Sequence, residues 1–281
     1  MTFPTVSLHD GKQMPQLGLG VWRIDNSALP NLVQSALRLG CRAIDTASIY
    51  GNETGVGQAI KNTTVARDEL FITTKLWNTD HTPQKARTAL KHSLHRLGLT
   101  TIDLYLIHWP VPKNDQYVQA WKTLIALKDE GLINSIGVCN FTIPQLKRLI
   151  QETGITPVIN QIELHPGFQQ RELREFHAQH QIKTQAWSPL AQGTFWDHPL
   201  ITALAKKHHR TQAQILLRWQ IQQGNLLNTK SSNPDRLAEN FSLFDFELCA
   251  QDMQAIANLD NVDGRLGPDP DLFRLPKAGM M

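Results

Sequence analysis

Short apolar runs alternate along the chain with longer stretches in which apolar residues recur every three or four positions. The runs fall at residues 17–19, 41–44, 70–74, 102–107, 133–138, 158–161, 182–186 and 226–228. Runs of this length bounded by turn residues are what strands buried on both faces look like. The stretches between them carry helix punctuation. "ALPNLVQSALRLG" closes on Gly40, and "TPQKARTALKHSLHRLG" opens on Thr82-Pro83 and closes on Gly98. "DQYVQAWKTLIALKDEG" closes on Gly131, and "TQAQILLRWQIQQG" runs from Thr211 to Gly224. A capping hydroxyl, a proline in the first turn and a glycine just past the end are the start and stop signals of helices. Ahead of this rhythm, "TVSLHDGKQMP" alternates about Asp10-Gly11 and predicts a β-hairpin.

Eight strands alternating with helices imply parallel βαβ units, in either a doubly wound sheet or a closed barrel. The count of eight and the lack of any linker or composition shift favour the barrel. A doubly wound dinucleotide fold would also show G-x-G-x-x-G after its first strand. "GLGVW" (from Gly18) and "GVGQAI" (from Gly55) both lack the third glycine. The predicted fold class is α/β: one domain over residues 1–281, a (β/α)8 TIM barrel with an N-terminal β-hairpin. Two extra helices are expected, at Pro199–His208 and at about residues 249–259.

Composition narrows the setting. Of 281 residues, 41% are hydrophobic and 19% charged, enough to bury a sizeable core. The net charge of +3 is small, with no basic run to attract nucleic acid. Cys41, Cys139 and Cys249 are odd in number and widely spaced, as expected for reduced thiols in the cytoplasm. The first residues show no secretory signal, and no apolar stretch reaches the roughly 20 residues of a membrane span.

In such a barrel the chemistry sits at the C-terminal ends of the strands. Those ends read Asp45, Lys75, His108, Asn140, Gln161, Trp187 and Lys230, with Tyr50 five residues beyond Asp45. Alternation places Phe71, Thr73 and Lys75 on one strand face, and Leu104, Leu106 and His108 on another. Cys41 and Ala43 share the parity of Asp45 and are expected to leave room beneath it. Each residue alone has a plain structural explanation: a capping aspartate, a solvated lysine, a hydrogen-bonded histidine. Together on one rim they suit protonation of an oxygen. An ordinary phenol titrates near pH ~10, and an adjacent ammonium favours its ionised form by about 1.4 kcal/mol per pH unit. Asp45 would hold Lys75 charged, Lys75 would tune Tyr50, and His108 would orient a carbonyl. No side chain supplies hydride, so a nicotinamide cofactor is implied. "TKSSNPDRLAEN" supplies an anion site for it: Asn233 and Pro234 open a helix, flanked by Lys230 and Arg236. That suits the 2′-phosphate of NADP, and Trp187 could stack on the nicotinamide.

"MPQLGLGVW", "AIDTASIYGNE", "FITTKLW", "DLYLIHWP", "IGVCNF", "NQIELHP", "AWSPLAQG" and "KSSNPDRLAENF" occur in order over nearly the whole chain. Together they resemble the aldo-keto reductase family, in particular its bacterial 2,5-diketo-D-gluconate reductases of the A type, some of which reduce methylglyoxal and β-keto esters. The resemblance implies a monomeric, cytoplasmic barrel that binds NADPH/NADP+ without a Rossmann domain. It further implies reduction of a small-molecule carbonyl, and no nucleic-acid, membrane or metal partner is expected. It implies catalytic roles for Asp45, Tyr50, Lys75 and His108. It also implies cofactor contacts at Asn140, Gln161, Trp187, Ser188, Leu190, Lys230, Ser231, Arg236, Glu239 and Asn240. A substrate pocket is expected from Trp22, Tyr50, Trp77, His108 and Trp109, with the tail at residues 272–275. Cys139 stands where many members have serine, and Trp187 where many have tyrosine. Asn228-Thr229 replaces a common Ile-Pro, which predicts a looser strand end before Lys230.

Three rival readings make other demands. A Schiff-base aldolase needs Lys75 unprotonated, which Asp45 opposes. A nucleotide-sensing module without turnover leaves the intact Tyr50, Lys75 and His108 set unexplained. A metalloenzyme would draw on "HSLH" (from His92) or "HAQH" (from His177), both expected on helix surfaces without a third ligand.

Overall fold

The structure, a computed structural model, describes residues 3–274. Two short antiparallel strands, β1 (Thr5–Ser7) and β2 (Gln13–Pro15), lead into eight parallel strands. These are β3 (Leu17–Gly20), β4 (Ala43–Asp45), β5 (Phe71–Leu76), β6 (Ile102–Ile107), β7 (Ile133–Cys139), β8 (Ile159–Glu163), β9 (Lys183–Trp187) and β10 (Leu226–Thr229). They close into a barrel in chain order, with β10 pairing back onto β3. Six strands are each followed by one helix: α1 (Leu29–Arg38), α2 (Glu53–Lys61), α3 (Pro83–Leu97), α4 (Tyr117–Asp129), α5 (Ile143–Thr153) and α6 (Arg171–Gln179). The last two strands are followed by pairs, α7 (Pro199–His208) with α8 (Gln212–Gln222), and α9 (Pro234–Phe241) with α10 (Ala250–Ala257). The predicted barrel, hairpin and two additional helices, α7 and α10, are all present.

The punctuation works as read. Pro83 opens α3, and Gly98 closes it at a positive φ of 66°. The Thr211 side chain accepts the Gln214 amide at 3.2 Å to start α8. The second glycine of "GVGQAI" serves helix packing. Gly57 lies on α2 so close to α3 that a Cβ would stand 2.5 Å from the Arg96 carbonyl oxygen.

Two apolar layers result from strands buried on both faces. The outer one joins barrel to helices through Leu17, Ile44, Ile72, Tyr105, Ile107 and Trp121, among others. The inner one fills the barrel with Ala43, Phe71, Leu104, Leu106, Cys139, Ile159 and Leu226. Leu8 and Met14 of the hairpin join this inner cluster and seal the N-terminal end. Asp10 fastens the seal by accepting from Ser135 Oγ (2.7 Å) and Lys128 Nζ (3.2 Å).

The details differ from expectation in three places. The hairpin turn is longer than a two-residue Asp-Gly loop: the Leu8 amide donates to the Lys12 carbonyl and the Gly11 amide to that of Leu8. Residues 8–12 thus form a loop that carries Asp10 into the barrel floor. Cys41 does not lie beneath Asp45. It precedes the strand and packs in the outer layer, so Ala43 alone provides the room. His177 is not on a surface: it is 1% exposed, bonded to Asn160 Nδ2 (3.0 Å) and Thr184 Oγ1 (2.9 Å).

No helix among the described residues is long and apolar enough to cross a membrane. No group of three or more His, Cys, Asp or Glu among them is placed to hold a metal ion.

Met14 is 1% exposed in the barrel floor. Met14→Ala should therefore cost about 2–5 kcal/mol, measured as a lower urea midpoint at unchanged slope. A loss under roughly 0.5 kcal/mol, the usual size for surface changes, would show that the hairpin does not seal the core.

Candidate active site

Parallel register sets the polar layer above the apolar filling. Asp45 pairs with Gly20 on one side and Thr73 on the other, and Lys75 pairs with Leu106. Along β5 the inward positions run from Phe71 through Thr73 to Lys75, so the ammonium emerges at the top of the filled barrel. Lys75 is fully buried. Its Nζ donates to Asp45 Oδ1 and, at 2.8 Å, to the Thr46 carbonyl oxygen. The other Asp45 oxygen accepts from Gln161 Nε2 at 2.9 Å, and Gln161 Nε2 also donates to Gln185 Oε1 at 2.8 Å. Burial opposes the charge on Lys75, but Asp45, followed by Tyr50 and Cys139, outweighs it and holds the ammonium well above its usual range.

Tyr50 ends a 3-10 turn, Ser48–Tyr50, that follows β4. Ser48 Oγ fastens this turn to β5 by donating to the Lys75 carbonyl at 3.0 Å. Lys75 Nζ lies 5.2 Å from the Tyr50 ring centroid. The ring is partly open to the mouth while its hydroxyl lies deep. The expected easing of the phenol toward ionisation is reversed. Burial dominates the pull of Lys75, Asp45 and Cys139 add to it, and the phenol is pushed up to about 12. At neutral pH Tyr50 keeps its proton.

His108, one residue past β6, stands edge-on to Tyr50 (ring centroids 5.7 Å apart) and to Trp77 (5.2 Å). Burial first, and then the Lys75 charge, holds its imidazole well below the usual range, so it is neutral. His108 Nδ1 and Trp77 Nε1 are buried without a hydrogen-bond partner. A donor and a neutral imidazole, both without partners, thus stand together beside Tyr50.

Asn140 has a positive φ of 61° immediately after β7. Its Oδ1 accepts from Trp187 Nε1 (2.8 Å), and its Nδ2 donates to the His108 carbonyl (3.1 Å). The carboxamides of Asn140 and Gln161 are therefore engaged within the protein, the first orienting Trp187 and the second bracing Asp45. Cys139 packs in the barrel interior, with Sγ 3.8 Å from Gln161 Oε1. Trp187 ends β9 half-buried. Ser188 follows it at φ 53°, and Leu190 packs on the core.

Lys230 and Arg236 are exposed, with no carboxylate in ion-pair range among the described residues. They flank the start of α9, where the Asn233 side chain accepts the amides of Asp235 (2.8 Å) and Arg236 (3.1 Å). Ser231 Oγ donates to the Asn233 carbonyl at 3.0 Å. Glu239 Oε1 accepts from Thr211 Oγ1 at 2.7 Å, which ties α9 to α8. Asn240 is buried and donates to Thr229 Oγ1 at 3.0 Å. This last bond corrects the expectation of a loose strand end: Thr229 is held by a side-chain bond in place of proline's rigidity. Asn228 fits because Gly18 opposite it has no side chain, and a Cβ there would stand 2.5 Å from Asn228 Oδ1.

Around the mouth, Trp22 is 51% exposed and carries the Arg23 guanidinium 4.2 Å over its ring. Trp109 is buried beneath Phe273, stacked 4.4 Å away at 8°. Leu272 of the predicted tail is exposed and residue 275 lies outside the described residues. Strand-end reading passed over Thr46, Gln185 and Glu163. Thr46 acts through its backbone oxygen, which no residue type signals. Gln185 and Glu163 lie on inward positions of β9 and β8, a signal that the alternation did contain.

Folded-state ultraviolet titration will test the phenol's environment. The tyrosinate signal lost in Tyr50→Phe should arise above the ordinary phenol value of 10.0, near pH 12. A signal rising below pH ~10 would mean that Lys75 outweighs burial.

Comparison with known proteins identifies the family. A sequence model described as the Aldo/keto reductase family matches residues 14–261. A methylglyoxal reductase DkgA of Escherichia coli is 56% identical over 97% of this chain and 99% of its own length. An aldo-keto reductase of Mycolicibacterium smegmatis is 50% identical over 96% and 98%. Among solved structures, a mutant of Gox0644 in complex with NADPH superposes with a TM-score of 0.94. It is 46% identical and covers 98% of this chain and all of its own. With the matched model spanning most of the chain and the polar layer standing at the C-terminal rim of a closed barrel, this protein belongs to the aldo/keto reductase family.

Proposed function

We propose that the protein is an NADPH-dependent carbonyl reductase of small polar ketones and aldehydes. The substrate named first is 2,5-diketo-D-gluconate, giving 2-keto-L-gulonate, with methylglyoxal and β-keto esters beside it. The observation that carries this reading is a protonated Tyr50 and a neutral His108 facing one mouth above the buried Lys75–Asp45 pair. The relatives named above, a methylglyoxal reductase and a protein complexed with NADPH, support the substrate and cofactor classes.

The residues present fit that cofactor. Trp187 is half-buried at the mouth, and two buried polar atoms there, on His108 and Trp77, lack partners. Lys230 and Arg236 supply two cations for a phosphate, neither in ion-pair range of a carboxylate among the described residues. When bound, NADPH supplies the hydride. The protein's own groups do the rest. His108, as a neutral imidazole, hydrogen-bonds the substrate oxygen and sets its direction. Tyr50 gives its proton to that oxygen as negative charge develops, since an alkoxide is a stronger base than even this phenolate. Lys75 stabilises the phenolate left behind, and Asp45 keeps Lys75 charged in a site that excludes water. The aromatic walls of Trp22, Trp77 and Trp109 favour compact carbonyls with a polar end. The chain acts as a monomer in the cytoplasm, a setting that suits its unpaired cysteines.

Oxidation of NADPH with 2,5-diketo-D-gluconate, methylglyoxal and ethyl acetoacetate, each repeated with NADH, tests the reading. Turnover with NADPH is expected, and tight binding without turnover on any of them would make this a nucleotide-binding module instead. Tyr50→Phe should lower kcat by about 10²-fold or more while NADPH affinity is kept, because only the proton donor is lost. Arg236→Ala should weaken NADPH about tenfold and leave NADH unchanged, in line with loss of one charge-assisted phosphate contact. Equal weakening of both nucleotides would remove the phosphate assignment.

A further inference from the structure

Glu163 ends β8 on the inward face and takes no part in the proton chemistry above. Its carboxylate is 1% exposed and has no lysine or arginine partner among the described residues. It is satisfied by the backbone of the C-terminal segment: the Leu266 amide donates to Oε1 (2.6 Å) and the Gly267 amide to Oε2 (2.9 Å). His165 Nε2 adds a third contact to Oε1 at 3.0 Å. Burial pushes this carboxyl up, but the His165 bond and the two amides outweigh it and hold it below the usual range. Charge-assisted bonds of this kind are about twice as strong as neutral ones, so the segment is firmly fixed.

What it is fixed against is Trp187. β8 and β9 pair Glu163 directly with Trp187. The backbone of Gly267 passes between the two side chains so closely that a Cβ would stand 2.5 Å from Trp187 Cη2 and 2.9 Å from Glu163 Oε2. The five-membered ring of the same indole is held by Nε1 donating to Asn140 Oδ1 at 2.8 Å. The indole is thus held at both its five-membered and its six-membered ring. Further along the segment, Asp271 accepts from Gln145 Nε2 (2.8 Å), and Phe273 lies on Trp109.

We infer that Glu163 is a positioning residue: by clasping residues 266–267 against the six-membered ring of Trp187, it sets the plane on which the nicotinamide stacks. This rests on the reading that Trp187 is the nicotinamide platform. The clasp explains why a buried acid stands where the mouth already holds one buried charge pair. It also explains why the tail crosses the indole at a glycine. A side chain at residue 267 would tilt the ring or lift the tail, and either would disturb the platform.

Glu163→Gln keeps the shape but turns an amide NH2 toward one of the two backbone donors, so one bond is lost and two donors are opposed. NADPH affinity, read by equilibrium binding without substrate, should fall about tenfold. Adenosine 2′,5′-bisphosphate, which reaches only the Lys230 and Arg236 end, should bind as it does to the parent. Gly267→Ala should show the same selective loss with the carboxylate intact, which separates the clasp from any misfolding peculiar to Glu163→Gln. In a Trp187→Ala background, Glu163→Gln should have no further effect on NADPH. Equal loss of both ligands, no loss of NADPH, or an undiminished effect without Trp187 would each overturn the proposal. If Trp187→Ala alone left NADPH affinity unchanged, the platform reading itself would fall, whatever Glu163→Gln did.

Discussion

A lysine ammonium and a carboxylate, both out of water, are the constraint around which the upper half of this barrel is organised. Removing either charge from solvent is costly, and the pair is tolerable only with good geometry and every remaining valence occupied. The structure meets most of that demand. Asp45 receives Lys75 on one oxygen and Gln161 on the other, while the Thr46 carbonyl takes a second ammonium proton. Gln161 is in turn shared with Gln185. The barrel's apolar filling stops one layer below, where Ala43, Leu104 and Leu106 give way to this polar ring.

The electrostatic state of the neighbouring groups follows from that arrangement. Burial, together with a cation fixed beneath the mouth, keeps His108 neutral. The same burial, aided by the Asp45 charge, outweighs the cation's pull on Tyr50 and keeps the phenol protonated. An acid with its proton in place beside an uncharged imidazole is suited to receiving a carbonyl rather than to deprotonating a carbon acid. Were that phenol to give up its proton, the ammonium would stabilise the phenolate, the kind of contribution for which electrostatic preorganisation is most effective. Above this layer the bonds Trp187–Asn140–His108 and the clasp on Gly267 make the rim one connected body.

Much of this was legible beforehand for a mechanical reason. Strands buried on both faces read as apolar runs, parallel barrels put function at strand ends, and one-letter punctuation marks the helices between. Asp45, Lys75 and His108 were therefore found from position alone, and Asn233 with Pro234 did open a helix. What was missed has an equally physical cause. The direction of the Tyr50 shift depends on how much solvent reaches one oxygen, and a pattern of residue types contains no such depth. His177 looked like a surface residue because its helix is amphipathic, and only packing shows that it faces Asn160 and Thr184. Cys41 shared the parity of Asp45, but the strand begins after it.

The sequence by itself thus determined the barrel, the order of its elements and the residues that crowd one rim, because periodicity, capping and strand-end position are local properties of the chain. Tertiary structure alone decided which protons those residues keep and what holds them in place. Bonds such as Gln161 to Asp45, Asn240 to Thr229 and Glu163 to the amides of residues 266 and 267 join distant parts of the chain. Protonation depends on burial, and burial arises only when all eight strands have closed.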